Sequence, residues 1–418
     1  MNERIDATEA ARRLGVKPAT LYAYVSRGVL TRHRDSYNRR SRFDAAEIDE
    51  LARKGRPRRR TAEPEVVIES AVTTLAEDRP YYRGSDALEL ARTASFEEVA
   101  EWLWAGEQDE PPGWTAEAGR VRTATLAQSA LPGRVLPLDR LQVVVATLGA
   151  TDPMRFQLDG PAVVATGRAL IAGMVEALPL LGPPPVTRDG TPSLASRLWP
   201  RLCAVPPGPG MLKALDAALV LLADHELAAS TLAARVAASV RADPYAVVAA
   251  GLGALGGPLH GGASFAAERM LAATHDSGDA ATVIGERLRR GERIAGLGHT
   301  VYRNGDGRGR VLLELLHEAV PAHPMLAAAD SVIAEARARR LPEPNVDLAL
   351  ATLTRLAGMV EGAGEAVFAV ARTAGWLAHA IEEYHRRSPI RLRARAPQPA
   401  EAGVVSRPGA RGPGRARP

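Results

Sequence analysis

The stretch Gly256–Gly262 reads Gly-Gly-Pro-Leu-His-Gly-Gly, and the residues that follow it, Ala263–Ala273, are mostly strong helix formers. Glycine and proline interrupt regular structure, so the sequence predicts a tight turn with His260 just before a helix N-terminus. The partial positive charge of that helix end disfavours imidazolium, and a neutral histidine can donate a hydrogen bond to a developing enolate. Alone, the motif fits equally well a histidine that only fills a turn.

Two further loops carry the same kind of side chain. The segment Ile294–Arg308 contains Gly-Leu-Gly-His, which sets His299 beside glycines, with Arg308 nine residues further on. The segment Pro342–Asp347 reads Pro-Glu-Pro-Asn-Val-Asp and delivers Asp347 to the start of another predicted helix. Two histidines and an aspartate, each on a loop beside a helix, are typical of an acid–base catalytic set.

In this order, the motifs Gly-Pro-Leu-His-Gly-Gly-Ala, Gly-x-Gly-His and Pro-Asn-Val-Asp resemble those of the citrate synthase family, from about Ser70 to about Arg393. The resemblance implies a mainly α, two-domain helical fold. It also implies an enzyme that condenses acetyl-CoA with oxaloacetate to citrate and CoA by enolisation, carbonyl attack and thioester hydrolysis. In such an enzyme Asp347 is the base, His260 donates to the thioester oxygen and His299 polarises the ketone.

The resemblance extends to substrate-binding residues. It assigns oxaloacetate binding to His225, Arg308, Arg372 and Arg391, and CoA binding to the backbone at Ile294, Gly296 and Gly298. Planar guanidinium groups suit the two carboxylates of oxaloacetate. In the family the last of these arginines reaches the neighbouring subunit's site, which implies a homodimer. We expect no metal and no tightly bound cofactor, because the histidines and the cysteine lack ligand spacing and the acyl-CoA and keto acid enter as substrates.

Some positions depart from the family pattern. Asp224-His225-Glu226 interrupts the apolar run Ala214–Ser239, and we expect these polar residues inside a helix, with buried polar partners. Ala228 stands where the family usually has asparagine, and Gly307 where it usually has proline, which we expect to loosen that loop. The sequence does not separate acetyl-CoA from propionyl-CoA, so a 2-methylcitrate synthase stays open.

Residues 5–54 resemble a MerR-type winged helix-turn-helix. The pattern predicts a helix at Ala7–Leu14, a second helix opened by Pro18, a wing at Arg32–Phe43 and a closing helix capped by Asp44. In one interpretation the module binds DNA through Lys17, Thr20, Tyr22 and Arg27. In another it is a retained module that docks onto the enzyme or a protein partner. A third hypothesis makes the whole chain a DNA-binding regulator whose synthase-like body senses a metabolite.

Charge is distributed unevenly along the 418 residues. Residues 1–60 hold 16 Lys and Arg against 8 Asp and Glu, and residues 386–418 hold 9 against 1, whereas residues 61–385 hold 28 against 39. We therefore expect any contact with DNA to be confined to the ends, chiefly to residues 1–60.

The composition predicts a cytoplasmic protein that does not contact membranes. The chain has one cysteine, a charged N-terminal sequence and no apolar run of membrane-spanning length. We divide it into a winged helix-turn-helix at 1–55, a basic linker at 56–66, a large helical domain at 67–254 and 360–396, a small helical domain carrying the catalytic residues at 255–359, and a disordered tail at 397–418.

Overall fold

The computed structural model of the chain describes residues 4–16, 20, 21, 24, 25, 30–34, 41–53, 68–106, 113–185, 191–386 and 388–391. The chain divides into two compact units, Met1–Glu69 and Ser70–Pro418. The predicted boundaries at 255 and 359 inside the second unit stay predictions. Outside the described residues lie Lys17, Tyr22, Arg27, the linker 56–66 and the tail 397–418.

The first unit combines short strands with helices. Its elements are β1 (Arg4–Asp6), α1 (Ala7–Arg13), β2 (His33–Arg34), β3 (Ser41–Asp44) and α2 (Ala45–Arg53). The strands form an antiparallel sheet in the order β1-β3-β2. The carboxylate of Asp6 accepts a hydrogen bond from the backbone N–H of Glu9, which caps α1, and Asp44 accepts one from Ala46 at the start of α2. Thr20 is helical and half-buried.

The second unit is mainly helical, as the resemblance implied. A small antiparallel sheet opens it, in the order β4 (Thr73–Leu75), β5 (Pro80–Tyr82), β6 (Ser85–Asp86). The helices before the glycine-rich turn are α3 (Ala87–Thr93), α4 (Phe96–Ala105), α5 (Ala118–Ser129), α6 (Pro137–Ala150), α7 (Gly160–Glu176), α8 (Leu194–Leu202), α9 (Met211–Leu222), α10 (Ala229–Ser239) and α11 (Pro244–Leu255). Those after it are α12 (Gly262–Ser277), α13 (Ala280–Arg289), α14 (Gly307–Ala319), α15 (Pro324–Ala338), α16 (Val346–Leu356) and α17 (Ala363–His385).

Local sequence explains where many of these helices begin. Ser95 caps α4 in a capping box with Glu98, each side chain bonding the other's backbone N–H. Asp243 caps α11, and Pro244 follows at the first helical position, where the missing N–H has no intrahelical partner to lose. None of the helices in the described part of the chain is long and apolar enough to cross a membrane.

Helix α17 is the centre of the larger apolar core. It packs against α4, α6, α7, α9, α10 and α11, and nearly all of its side chains are buried. The contact with α11 is close: a Cβ at Gly251 would lie 2.6 Å from the ring of Trp376. A second apolar cluster joins α12, α13, α15 and α16. Of the predicted active-site residues, His260 lies in the turn before α12 and Asp347 in the first turn of α16, so both adjoin helices of this cluster.

The segment Asp224-His225-Glu226 does not lie inside a helix, so that prediction was wrong. Helix α9 ends at Leu222 and α10 begins at Ala229, and Glu226 has a φ of +51°. Hydrogen bonds stabilise the break, because the buried carboxylate of Asp224 accepts from the N–H of Glu226 and contacts Nε2 of His379. The buried polar partners that the sequence required are therefore present.

Candidate active site

His260 lies in the turn between α11 and α12, as predicted. Its Nε2 atom is 2.7 Å from the hydroxyl of Ser230, a buried residue in the first turn of α10. Its ring meets that of Phe368 edge to face, with the ring centres 5.8 Å apart. The turn needs glycine at 261, since a Cβ there would be 2.7 Å from the carbonyl oxygen of Leu255.

The hydrogen bond to Ser230 indicates which nitrogen of His260 carries the proton. Burial, followed by the nearby charge of Arg372, lowers the pKa of His260 to about 4, so the ring is neutral at pH 7. The Ser230 hydroxyl has no other acceptor among the described residues, so we assign it as the donor to Nε2. The proton then lies on Nδ1, which no described residue contacts and which can donate to a ligand.

His299 has the opposite tautomer. Its Nδ1 atom accepts hydrogen bonds from the backbone N–H groups of Val301 and Tyr302, at 3.1 and 3.2 Å. Burial and the charge of Arg308 lower the pKa of His299 to about 4. The neutral ring must therefore carry its proton on Nε2, which lies 3.5 Å from Nη2 of Arg308. Two donors thus face one position, where a ligand oxygen would be held by both.

His225, Tyr302 and His299 form an aromatic cluster at this position. The rings of His299 and Tyr302 stack with centres 4.6 Å apart, and the ring of His225 meets both edge to face, at 5.1 and 5.3 Å. The Tyr302 hydroxyl is 3.0 Å from Nε2 of His225. Burial, with the charge of Arg308, holds the pKa of His225 well below its ordinary value, so all three rings are neutral.

Arg308 is buried and paired. Its guanidinium forms a two-point contact with Asp306, from Nε to Oδ1 at 3.0 Å and from Nη2 to Oδ2 at 2.8 Å. Although burial acts against the charge, Asp306 raises the pKa of Arg308 above its ordinary value. The ring of Tyr302 lies 5.3 Å from the guanidinium carbon. This arginine is held in place before any ligand arrives.

Arg372 is equally buried but forms no ion pair with any residue that the structure describes. It is 1% exposed, its Nε donates to the carbonyl oxygen of Leu222 at 2.8 Å, and its Nη1 atom is buried without a hydrogen-bond partner. Burial lowers its pKa to about 10, and the nearby charge of Asp224 only partly offsets this. Its guanidinium carbon lies 4.6 Å from the ring centre of Phe368. A buried cation with an unpartnered N–H donor is typical of a site that binds an anionic ligand.

Asp347 lies in the first turn of α16. Asn345 caps this helix by accepting from the N–H groups of Asp347 and Leu348, and it donates to the carbonyl oxygen of Gly298. No described residue donates a hydrogen bond to the Asp347 carboxylate. Burial in the cleft raises the pKa of Asp347 to about 7. The carboxylate is therefore more basic than an ordinary aspartate, although its position near a helix N-terminus acts the other way.

Electrostatics links these groups into one site. The charge of Arg372 acts on His225, His260 and Asp347, and the charge of Arg308 acts on His225, His299 and Asp347. By these charges and by the ring contacts and hydrogen bonds above, the predicted catalytic and keto-acid-binding residues lie near one another, with one exception. Arg391 is exposed, beyond the end of α17, and makes no hydrogen bond or ion pair with another described residue.

The loop with Ile294, Gly296 and Gly298 pairs with the segment before α16. The N–H of Asn345 donates to Gly296, and the N–H of Gly298 donates to Glu343. Both glycines have positive φ, and a Cβ at Gly296 would lie 2.8 Å from Cβ of Leu348. Packing against α16 therefore requires glycine at 296, and the predicted approach of CoA to this backbone stays a prediction.

Ser230, Tyr302 and Asp306 were missed as site residues. Tyr302 follows His299 by three residues, and Asp306 precedes Arg308 by two. This closeness to predicted site residues could have identified both. Ser230 had no such signal, because it meets His260 across the fold. Within the described ranges, no three His, Cys, Asp or Glu side chains cluster as a metal site would require.

The arrangement provides two neutral hydrogen-bond donors, one basic carboxylate and two buried guanidinium groups around a single cleft. Such a set can bind a small dianion, polarise two carbonyl groups and remove a proton next to one of them.

Family models match both parts of the chain. A model described as "Citrate synthase, C-terminal domain" matches residues 62–393, and one described as "Helix-turn-helix domain" matches residues 5–56.

Similar proteins and a similar structure are known. Citrate synthase 2 of Bacillus subtilis is 31% identical over 79% of this chain and 93% of its own length. 2-Methylcitrate synthase 1 of Corynebacterium glutamicum is 30% identical over 74% of this chain and 87% of its own. The citrate synthase of Thermoplasma acidophilum, solved as a ternary complex with carboxymethyl coenzyme A and oxaloacetate, has the same fold. It superposes with a TM-score of 0.67 over 82% of this chain and 96% of its own, at 23% identity.

The two buried arginines should respond oppositely to replacement by methionine. In the ligand-free protein, Arg372→Met removes a cation with an orphaned donor, and we expect the free energy of unfolding to rise by about 1–3 kcal/mol. Arg308→Met leaves the buried Asp306 unpaired, and we expect a loss of about 3–5 kcal/mol. Denaturant unfolding of both variants measures the difference. Equal destabilisation by the two substitutions would contradict the unpaired state of Arg372.

Proposed function

The chain belongs to the citrate synthase family, and from this we propose that it condenses a short acyl-CoA with oxaloacetate, with acetyl-CoA as the first candidate. The proposal rests above all on Arg372, a guanidinium that is buried with an unpartnered Nη1 atom and has neutral histidines and a raised-pKa aspartate around it. A dianionic keto acid supplies the carboxylate that this arginine lacks.

The proposed reaction begins with proton removal from the acyl group. Asp347 takes the proton from the carbon next to the thioester, and His260 donates from Nδ1 to the thioester oxygen as the enolate forms. An aspartate of ordinary pKa is a poor base for so weak an acid. Desolvation of Asp347 and a neutral donor at His260 act together to lower that barrier.

Carbon–carbon bond formation follows. Arg372 and Arg308 bind the carboxylates of oxaloacetate, His225 contacts it, and Nε2 of His299 donates to the ketone oxygen. The enolate carbon attacks the polarised ketone carbon, and the ketone oxygen becomes the hydroxyl of a citryl thioester. Water then cleaves the thioester and releases CoA. The loop containing Ile294, Gly296 and Gly298 contacts CoA in this proposal.

The acyl group has two candidates. The relatives include both citrate synthases and 2-methylcitrate synthases, at 31% and 30% identity. Acetyl-CoA would yield citrate and propionyl-CoA would yield 2-methylcitrate, through the same residues. A steady-state comparison of kcat/KM for the two thioesters with oxaloacetate decides between them.

Loss of the base should show in the pH profile. Because a carboxylate with a raised pKa is protonated below about pH 7, we expect kcat/KM to fall about tenfold per pH unit below that point. The histidines, with pKa values of about 4, stay neutral through this range. We expect Asp347→Asn and His260→Ala each to lower kcat by about 10²–10⁴-fold. CoA release with each acyl-CoA measures both effects.

A matched control is available in α9. Burial raises the pKa of Asp216 to about 7 as well, but this aspartate accepts from the backbone of Phe96, away from the proposed cleft. Asp216→Asn should keep both the rate and the acid limb. The absence of turnover above the His260→Ala variant, with either acyl-CoA, would reject the proposed function.

We further propose that the second unit forms a homodimer through α10 and α11. Leu232 and Val236 on α10, and Val240 at its C-terminal cap, follow one another at four-residue spacing and are 38%, 41% and 66% exposed. Helix α11 packs beside α10 and exposes small residues, at Ala246, Ala249 and Gly253. An exposed apolar stripe beside a smooth helix suits a self-complementary interface. In such a dimer Arg391 would complete the partner's site.

A charge in this stripe should separate the subunits. We expect the full-length chain, 44.3 kDa, to elute as a dimer in light-scattering chromatography, and Val236→Lys to shift it toward the monomer. Leu126→Lys is the control, because Leu126 is an exposed apolar residue on another helix, α5. A dimer that persists in Val236→Lys would place the interface elsewhere.

The helix-turn-helix match favours a second function, DNA binding through residues 1–60. In this proposal the catalytic body is joined to a module whose region has an excess of eight positive charges. Lys17, Thr20, Tyr22 and Arg27 would contact DNA. If the synthase-like body also acts as a sensor, oxaloacetate or CoA should change the affinity for DNA. Docking onto a protein partner remains the competing role of the module.

DNA binding should depend on salt and on the predicted contacts. We expect the full-length chain to bind a labelled fragment from upstream of its own coding sequence, with Lys17→Ala/Arg27→Ala lowering the slope of log K against log salt by about 2. Arg12→Ala/Arg13→Ala is the charge-matched control, since both arginines are already paired with Glu9. Equal salt slopes for the double variant and the wild type would argue against these contacts.

A further inference from the structure

We propose that Asp306 is a positioning residue. Its carboxylate fixes the Arg308 guanidinium relative to the N-terminus of α16, the helix that carries Asp347. The proposal rests on the proposed function, because it matters for catalysis only if Arg308 binds the keto acid and Asp347 is the base.

The carboxylate of Asp306 has four hydrogen-bond donors around it. Oδ1 accepts from the backbone N–H and from Nε of Arg308, at 3.1 and 3.0 Å. Oδ2 accepts from Nη2 of Arg308 at 2.8 Å and from the backbone N–H of Val346 at 3.0 Å. The side chain is fully buried, so no water competes for these positions. One carboxylate thus joins the start of α14 to the start of α16.

Backbone packing makes this junction rigid. A Cβ at Gly309, in the first turn of α14, would lie 2.7 Å from the carbonyl oxygen of Asn345. The two helix ends therefore touch backbone to backbone. Arg308 and Asp347 follow Asp306 and Val346 by two residues and one residue, so a shift at the carboxylate moves both functional side chains together.

The charge of Asp306 acts on the same two groups. The titratable and charged groups that face it are Arg308 on α14, His299 on the preceding loop and Asp347 on α16. Its negative charge offsets that of Arg308 and favours the protonated form of Asp347, while Arg308 and Arg372 favour the ionised form. Removing the charge should therefore make Asp347 a weaker base.

Two substitutions in the full-length chain separate these effects. Asp306→Asn replaces one acceptor atom by a donor. Because both oxygens accept from Arg308, its two-point contact breaks in either orientation of the amide, and the Val346 contact breaks as well where the nitrogen takes the place of Oδ2. Val346→Pro removes the N–H that Oδ2 accepts and places a ring carbon in its direction, so Oδ2 must move away from the N-terminus of α16. The helix itself accepts proline there because Val346 is the first helical residue and Asn345 is extended, with a φ of −120°.

We expect Asp306→Asn to weaken oxaloacetate binding in calorimetry about tenfold or more, and to move the acid limb of kcat/KM to lower pH. Val346→Pro keeps the charge of Asp306 but breaks its link to α16, and it should lower kcat about tenfold. Hydrogen–deuterium exchange of residues 343–350 should accelerate in Asp306→Asn. The control is Asp78→Asn, whose carboxylate pairs with Arg310 on α14 and not with α16; none of these readouts should change.

Each outcome bears on a separate claim. A folded Asp306→Asn variant with the wild-type Kd and acid limb would overturn the positioning role, even if exchange accelerates. If Asp306→Asn fails to fold, Val346→Pro decides: an unchanged kcat overturns the link to Asp347. A wild-type chain without turnover would reject the proposed reaction, while calorimetry and exchange still test the anchoring of Arg308 and α16.

Discussion

The unpaired guanidinium of Arg372 is the constraint on which the second unit depends. Burying a cation without a direct ion pair is unfavourable, and the fold tolerates it only because α17, the helix that carries Arg372, is enclosed by apolar helices on all sides. Burial, with this same charge, lowers the pKa of His260 and keeps it neutral, and the charge also acts on Asp347. Burial of this one group thus couples the stability of the core to the chemistry of the cleft.

Much of this site could be predicted from residues close together in the sequence. Glycine and proline mark the turns before His260 and Asp347, and helix formers follow each of them, so their places beside helix N-termini follow from local rules. The mainly helical fold was predicted correctly from the motif resemblance. For Asp347 the sequence indicated two opposing effects on the pKa: a helix N-terminus lowers it and desolvation raises it. Burial is the larger effect, and it raises the pKa to about 7.

Contacts between distant segments could not be predicted in this way. The proton on Nδ1 of His260 depends on Ser230, thirty residues earlier, and the break around Asp224 depends on His379, at the far end of the chain. Apolar periodicity favoured a continuous helix there, but tertiary hydrogen bonds overrode it. For the glycines beside His299, the sequence did not reveal that Gly296 packs against Leu348 of α16 and Gly298 against Pro342.

Gly307 allows a close backbone contact at the start of α14. The family usually has proline there, which suits the first residue of a helix, but this chain uses the N–H of Gly307 to bond the carbonyl oxygen of Asp78 at 2.8 Å. A Cβ would lie 2.7 Å from that same oxygen, so the loop is tied down and not loosened as expected. Any larger residue at 307 therefore requires the backbone at Asp78 to move. Homologues that carry proline at this position should differ in the backbone around position 78. Exchanging only one of these two segments between such a homologue and this chain should disrupt the contact.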